Sequence, residues 1–268
     1  MRDGPRSVDR IIDLLELFAG DRSPKSLAQL SVALDVPKAS LFNLIGTLTR
    51  REVLSRDDTG RYQLGAAAVR IAMAVMATRS FTDLTHPFLV RLSRLTGETA
   101  LVACLDMRSL KAVYLDKAES DSSVRYTVPI GQTRELHCSS VGKVMLAHCP
   151  DVAELVLRAP RLRRYTDSTV VDKKALQNQI RAIRKAGVAR AIDESSFGAS
   201  GIAAPIFNGA GELVAGLVVA GPTQRMRPNL QRFERALREA AASLSGVLPS
   251  VGTSQISFAI EDVMRRSA

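Results

Sequence analysis

The chain has no tryptophan, three cysteines and three histidines, and aromatic residues make up 4% of its 268 positions. Each shortage excludes something. Three cysteines, an odd number with no C-x-x-C spacing, argue against a disulfide framework or a zinc ribbon and suit the reducing cytoplasm. The N-terminus, Met1-Arg-Asp-Gly-Pro5, lacks the apolar core of a secretory signal. The most apolar stretch, Ala66–Ala77, is interrupted by Arg70 and is too short to cross a bilayer, so no membrane partner is expected. There is no Gly-x-Ser-x-Gly elbow. Ser139 and Ser140 near His137, with Asp193-Glu194 as a carboxylate source, are therefore weak grounds for a hydrolase. Gly142-Lys143 lacks the earlier glycine of a phosphate loop and is followed by Val144 instead of Ser or Thr. The pairs His137-Cys138 and His148-Cys149, with Cys104 and His86 elsewhere, match no zinc spacing. The expectation is no enzyme, no metal and no cofactor.

What is present suits two globular domains: 46% apolar residues over this length is ample for packed cores. A net charge of +10 favours an anionic partner. Residues 1–65 carry ten Lys/Arg against nine Asp/Glu, and the rest carries 27 against 18, so a nucleic-acid reading has to rest on local placement of charge. Arg158–Arg164 and Arg181–Arg190 are charge-rich, which leaves open a membrane or ligand-sensing module without DNA binding, although most such stretches are solvated surface.

Local placement does point to DNA. Val8, Ile11, Ile12, Leu15 and Phe18 recur at helical spacing, after which Gly20–Pro24 breaks the chain. Ser26-Leu-Ala-Gln29 has the capping-box pattern and starts a second helix that runs to about Leu34. A third helix begins near Pro37, whose fixed φ suits a first helical position. Leu41, Leu44, Ile45 and Leu48 form its apolar stripe; Ala39, Asn43, Gly46 and Arg50 lie opposite, flanked by Lys38, Phe42 and Thr47. Small and amide-bearing residues let such a face enter the major groove, where Asn can pair with an adenine edge; an ordinary solvated face is the alternative. Ser55–Leu64 then reads as a hairpin with Asp57-Asp58-Thr59-Gly60 at its tip, and Arg56 and Arg61 on adjacent strands would meet phosphates or the minor groove. Helix, turn, helix and hairpin make a winged helix-turn-helix over 1–65. The predicted DNA-contacting residues are Ser26, Lys38, Ala39, Ser40, Asn43, Thr47, Arg50, Arg56 and Arg61.

Residues 66–79 read as a connecting helix whose apolar surface would be covered either by another subunit or by its own domain. Beyond Ser80 the pattern is mixed. Pro87–Thr96, Gly142–His148, Asp172–Ala186 and Pro228–Leu248 look helical. Thr99–Leu105, Ala112–Asp116, Val188–Ile192, Gly198–Ala204 and Leu213–Ala220 look like strands or strand-bearing stretches. An α+β domain over 80–250, an antiparallel sheet flanked by helices, fits best. Residues 251–268 read as a tail, poorly ordered after Pro249.

The order and spacing of several motifs resemble the IclR family of bacterial transcriptional regulators over most of the chain. They include Ser7-Val-Asp-Arg10 with the following Leu-Leu-Glu-Leu-Phe18, Arg56–Gly65, Thr96–Thr99, Leu136-His137 with Gly142-Lys143, Thr166–Val171, Ile202–Pro205 and Gly221-Pro222. The resemblance implies a winged helix-turn-helix on operator DNA, a dimerising linker helix and a GAF-like domain that binds a small effector, in a homodimer or dimer of dimers. It also implies that the effector cavity is walled by Ser123, Tyr126, Arg134, Ser140, Val141, Ala191, Gly201, Val218 and Ala220. Asn43 stands where the family often has Arg, and Glu52 where it often has Gly. The last four cavity positions are more polar in members that bind small oxoacids. Their small apolar side chains here imply a roomier, more apolar wall and an organic acid with an apolar or aromatic body, its carboxylate paired to Arg134. A solvent-facing Arg134 is the alternative.

Overall fold

The computed structural model describes residues 6–21, 23–77, 80–248, 260 and 263. Thr78 and Arg79 of the expected linker, and the tail after Pro249 apart from Ile260 and Val263, lie outside the described residues. The chain divides into two compact units between Arg79 and Ser80. Among the described residues, no helix is long and apolar enough to cross a membrane.

The first unit is built as α1 (Arg6–Gly20), α2 (Leu27–Ala33), α3 (Lys38–Arg50), β1 (Leu54–Arg56), β2 (Tyr62–Leu64) and α4 (Ala66–Ala77). Its core is Leu14 and Phe18 of α1, Leu30 of α2, Leu41, Ile45 and Leu48 of α3, and Leu54 and Tyr62 of the hairpin. Burying each large side chain there contributes on the order of 1.5–3 kcal/mol, which fixes the orientation of α3. The capping box forms as its spacing predicts: Ser26 Oγ accepts from the Gln29 N–H, and Gln29 Oε1 accepts from the Ser26 N–H. Pro37, expected as the first helical residue, instead occupies the cap position of α3. Lys25 is buried although charged. Its ammonium donates to Asp21 Oδ2 (2.7 Å), Ser23 Oγ (3.0 Å) and two carbonyls, and its backbone pairs with Tyr62, tying the turn after α1 to the wing.

The chain leaves α3 through Glu52, whose φ of 57° places a non-glycine residue in the left-handed region at a cost of about 1 kcal/mol. Helix α4 holds it there. The Glu52 carbonyl accepts from the Ala67 N–H (2.9 Å) and its carboxylate pairs with Arg70 at 3.2 Å. The first turn of α4 therefore packs on its own domain, while Val69 and Ile71 stay exposed at 53% and 59%.

The second unit is one six-stranded antiparallel sheet in the order β5-β4-β3-β8-β7-β6, formed by β3 (Thr99–Asp106), β4 (Lys111–Ala118), β5 (Thr133–Glu135), β6 (Ala189–Ile192), β7 (Ala199–Phe207) and β8 (Leu213–Pro222). Helices α5 (Phe81–Thr96) and α9 (Thr223–Val247) pack together on the sheet. Helices α6 (Ser140–His148), α7 (Pro150–Arg158) and α8 (Lys173–Ala186) build a second layer, with α6 innermost. The α+β expectation holds. Leu101, Ala103, Tyr114, Ala203, Val218 and Ala220 share one core with Val141, Val144 and Met145 of α6 and Leu176 and Ile180 of α8. By the twofold alternation of strands, Val102, Ile202 and Val219 face the other way.

Two boundaries differ from expectation because a proline in the second turn of a helix resembles one at its start. Helix α5 begins at Phe81, capped by Ser80 and Asp83 in a second capping box, and Pro87 lies inside it. Helix α9 begins at Thr223 with Pro228 inside. In both, the proline sits in the second turn, where it removes one helical hydrogen bond. The short strand β5 and the helix α7 were not expected from the sequence.

Candidate nucleic-acid interface and small-molecule cavity

On α3 the apolar stripe turns inward, with Leu41, Ile45 and Leu48 buried and Leu44 partly so. Lys38, Ala39, Ser40, Phe42, Asn43, Thr47 and Arg50 are exposed. Within this face Arg50 Nη2 donates to Thr47 Oγ1 (3.1 Å), which donates to the Asn43 carbonyl (3.2 Å), so the guanidinium is oriented along the helix rather than swinging freely. Asn43 keeps its own amide for other partners. Ser26 is partly buried and its hydroxyl serves the α2 cap, leaving only its O–H free to donate outward.

The wing differs in detail from the expected pair of strand arginines. Arg56 ends β1, folds its guanidinium over the Tyr62 ring (5.6 Å) and donates to the Gly60 carbonyl (3.2 Å). Arg61 is not on a strand: it precedes β2 in the turn held by Asp57, whose Oδ1 accepts from the N–H groups of Thr59 and Arg61. These bonds hold the Asp57 carboxyl below its ordinary value, chiefly through the Thr59 hydroxyl and the Arg61 N–H. Among the described residues no side-chain hydrogen bond ties down Arg61; Arg56 must release the Gly60 carbonyl to reach a phosphate.

In the second unit a small cavity opens at the N-terminus of α6, with about 20 Å³ of water-accessible space, room for about one water molecule. Of the nine expected wall residues, Tyr126, Arg134, Ser140, Ala191, Gly201, Val218 and Ala220 line it. Ser123 does not: it is exposed on the turn after β4. Val141 does not either. It is fully buried and covers Gly216, because one residue of helix rotates it about 100° from Ser140 toward the sheet. A side chain at Gly216 would meet Val141 Cγ2 at 2.5 Å, so this glycine is what lets α6 lie down on β8.

Tyr114, Ser139, Ser195, Ala199 and Ser200 complete the lining. Nothing in their local sequence marks them; they arrive by sheet register, Tyr114 from β4 and Ser200 from β7. With them the wall is more polar and tighter than the small residues Ala191, Gly201, Val218 and Ala220 implied. Arg134 is partly buried and faces inward. Its Nη2 donates to Tyr126 Oη at 3.0 Å and its guanidinium lies 6.0 Å from the centre of the Tyr114 ring. Burial, reinforced by neighbouring Tyr126, pushes the Tyr114 phenol far up, so it stays protonated as a donor. The cavity therefore gathers a guanidinium, two phenols, the Ser140 and Ser195 side chains and the N-terminal end of α6, a combination that favours an anion, while the Ser139 and Ser200 hydroxyls are engaged with Glu135 and Thr223.

Two supports stand behind this wall. Lys143 of α6 is buried against Glu194 at 2.5 Å, joining α6 to the turn that carries Ser195. Burial pushes the Glu194 carboxyl up despite that ammonium. Glu119 accepts from Lys117 (2.6 Å), Thr127 (2.6 Å) and Arg125 (2.9 Å), bracing the loop that carries Tyr126, and its carboxyl falls from 4.5 to about 2. A carboxyl lowered in the folded state stabilises above its unfolded value, and that contribution disappears as pH falls from 4.5 through about 2. Glu119→Gln is expected to flatten this part of the acid limb in urea unfolding followed from pH 5 to pH 2; an unchanged limb would show that the brace contributes nothing.

The Ser139 hydroxyl donates to the Glu135 carbonyl (2.7 Å) and His137 Nε2 meets the Arg163 carbonyl (2.8 Å), so neither serves the other. Among the described residues, no three His, Cys, Asp or Glu side chains come together as metal ligands.

Residues 73–246 match the family described as bacterial transcriptional regulator IclR C-terminal, and residues 7–58 match the IclR helix-turn-helix domain. The chain is 36% identical over 250 residues to the HTH-type transcriptional regulator BhcR of Paracoccus denitrificans, covering 92% of this chain and 88% of that one. It is 28% identical over 251 residues to the HTH-type transcriptional repressor AllR of Klebsiella pneumoniae, covering 91% and 90%. The fold is also that of the Agrobacterium tumefaciens repressor BlcR, with a TM-score of 0.75 over 93% of this chain and all of that one at 21% identity.

Proposed function

Because the chain belongs to the IclR family of bacterial transcriptional regulators, we propose that it reads its operator through the exposed face of α3 and is controlled by an organic acid bound at Arg134. It is a regulator and not an enzyme. The observation that carries the DNA assignment is the solvent-facing row Lys38, Ser40, Asn43, Thr47 and Arg50 on a helix whose other side is locked into the core. Asn43 and Arg50 supply edge-reading groups, with Ala39 small enough for close approach, while Ser26, Arg56 and Arg61 serve the phosphates. Such a protein acts in the cytoplasm.

The effector reading rests on the inward guanidinium of Arg134. A carboxylate placed there is paired by Arg134, approached by Tyr126 and Tyr114 and faced by the N-terminus of α6; Ala191, Gly201, Val218 and Ala220 offer an apolar side for the rest of the acid, in a domain we take as GAF-like. Exposed Val69 and Ile71 on α4 favour a homodimer or dimer of dimers, in which an effector that prefers one subunit arrangement changes the spacing of the reading heads and so operator affinity.

Binding to the upstream intergenic fragment across a salt series tests both halves. Arg61→Ala is expected to lower the slope of log affinity on log salt by about 1 without changing sequence preference. Arg134→Ala is expected to leave operator binding intact and to abolish both thermal stabilisation by organic acids and their effect on operator affinity. Salt-insensitive binding would sink the DNA assignment, and acid responses surviving Arg134→Ala would sink the effector site.

A further inference from the structure

On the outward side of α3, Ala39, Phe42, Asn43 and Gly46 stand at i, i+3, i+4 and i+7 and so share one patch. The fold explains neither Phe42 nor Gly46. Phe42 is 59% exposed, whereas the other large apolar side chains of the helix, Leu41, Leu44, Ile45 and Leu48, turn toward the core. Gly46 lies in the helix interior, where glycine is less stable than alanine. Among the described residues nothing requires a glycine there: its φ is not left-handed, and an added Cβ would meet only the flexible tip of Arg50, at 4.0 Å. An exposed ring and a destabilising glycine are accounted for together by a second surface that comes down on this patch. Ala39 and Gly46 form a low floor that admits close approach, and Phe42 stands between them as the apolar feature. In the major groove the base edges present hydrogen-bonding groups, and the apolar exception is the C5 methyl of thymine.

We propose that Phe42 is a specificity-determining residue whose ring packs on a thymine methyl of the operator, and that Gly46 is the positioning residue that lets α3 lie close enough for this contact. The proposal rests on the reading of α3 given above. It adds a base to that reading: Asn43 and Arg50 serve hydrogen-bonding edges, which leaves the methyl group to the ring. Contact removes both apolar groups from water, and a base without the methyl forgoes that gain.

Exchanging thymine for uracil removes that methyl and nothing else. Binding of the full-length protein to the footprinted operator, with each thymine of the protected segment exchanged in turn, tests the contact. The wild type is expected to lose about fourfold at one thymine, the effect of one buried methyl group. Phe42→Ala is expected to bind the thymine and uracil forms of that duplex alike, and Phe42→Leu to keep part of the preference. Gly46→Ala is expected to raise the urea unfolding midpoint and yet to weaken operator binding about tenfold, opposite signs that a merely structural glycine does not give. A Phe42→Ala protein that keeps the thymine preference, or a Gly46→Ala protein that binds the operator as tightly as the wild type, overturns the proposal. A change in oligomeric state of Phe42→Ala by light scattering, with the uracil effect intact, overturns it too and assigns the ring to a contact between chains. A wild type indifferent to every uracil, while Asn43→Ala and Arg50→Ala still lose discrimination between operator and scrambled duplex, ends this proposal alone. The same indifference with no loss of discrimination in those two variants ends the reading of α3 as well.

Discussion

Glu194→Ala is expected to destabilise the effector domain by roughly 3–5 kcal/mol, the usual cost of leaving a buried charge without its partner. The Lys143 side chain is 1% exposed, and among the described residues its ammonium donates to the Glu194 carboxylate at 2.5 Å and the Arg190 carbonyl at 3.5 Å. Without Glu194, Lys143 must stay charged in an apolar surround, lose its proton, or pull α6 away from the sheet. Each of these lowers stability. The pair as a whole is a different matter, because Glu194 itself resists burial: desolvation raises its carboxyl despite the Lys143 ammonium. Replacing both residues by apolar ones, Lys143→Met with Glu194→Leu, is accordingly expected to recover most of the loss. Urea unfolding of the two single variants and the double variant measures the coupling. A Glu194→Ala loss below about 1 kcal/mol, the range of a surface pair, would falsify the view that this contact anchors α6 to the cavity wall.

Asn43→Ala and Arg50→Ala are each expected to cost about 1–3 kcal/mol of discrimination between operator and random duplex, with non-specific affinity much less affected. The two positions lie two helical turns apart on one exposed face and are linked through Thr47, so their effects should fall short of additive. The readout is competition between the footprinted operator and a scrambled duplex of equal length at one salt concentration. If each variant weakens both duplexes equally, Asn43 and Arg50 are backbone contacts and sequence is read elsewhere. Thr47→Val, which removes the hydroxyl that orients Arg50, should reproduce part of the Arg50→Ala effect.

The legibility of the chain followed the range of the forces involved. Helix α3 was readable because its apolar stripe, its start near Pro37 and its charged end at Arg50 are all local, and the exposed row opposite the stripe follows from a 100° step per residue. The Ser26–Gln29 capping box was read and formed. At α5 two local signals compete, the Ser80–Asp83 box and Pro87, and the helix starts at the box, six residues before the proline. In the wing, the turn residues 57–60 were legible, but the withdrawal of Arg56 onto Tyr62 was not. It depends on how a flexible side chain balances a carbonyl and a ring against water.

The sequence alone determined the helix, helix, helix and hairpin order of the first unit and which side of α3 meets solvent, because helix and strand periodicities are set by backbone geometry over a few residues. Only the tertiary structure decided the cavity. Tyr114, Ser195 and Ser200 come from separate strands and turns and meet Arg134 through sheet register, Val141 turns to Gly216 because the helix rotates it there, and Glu52 keeps a left-handed backbone because α4 returns to hold it. Contacts between residues distant in sequence depend on how whole elements pack, and no local pattern encodes that distance.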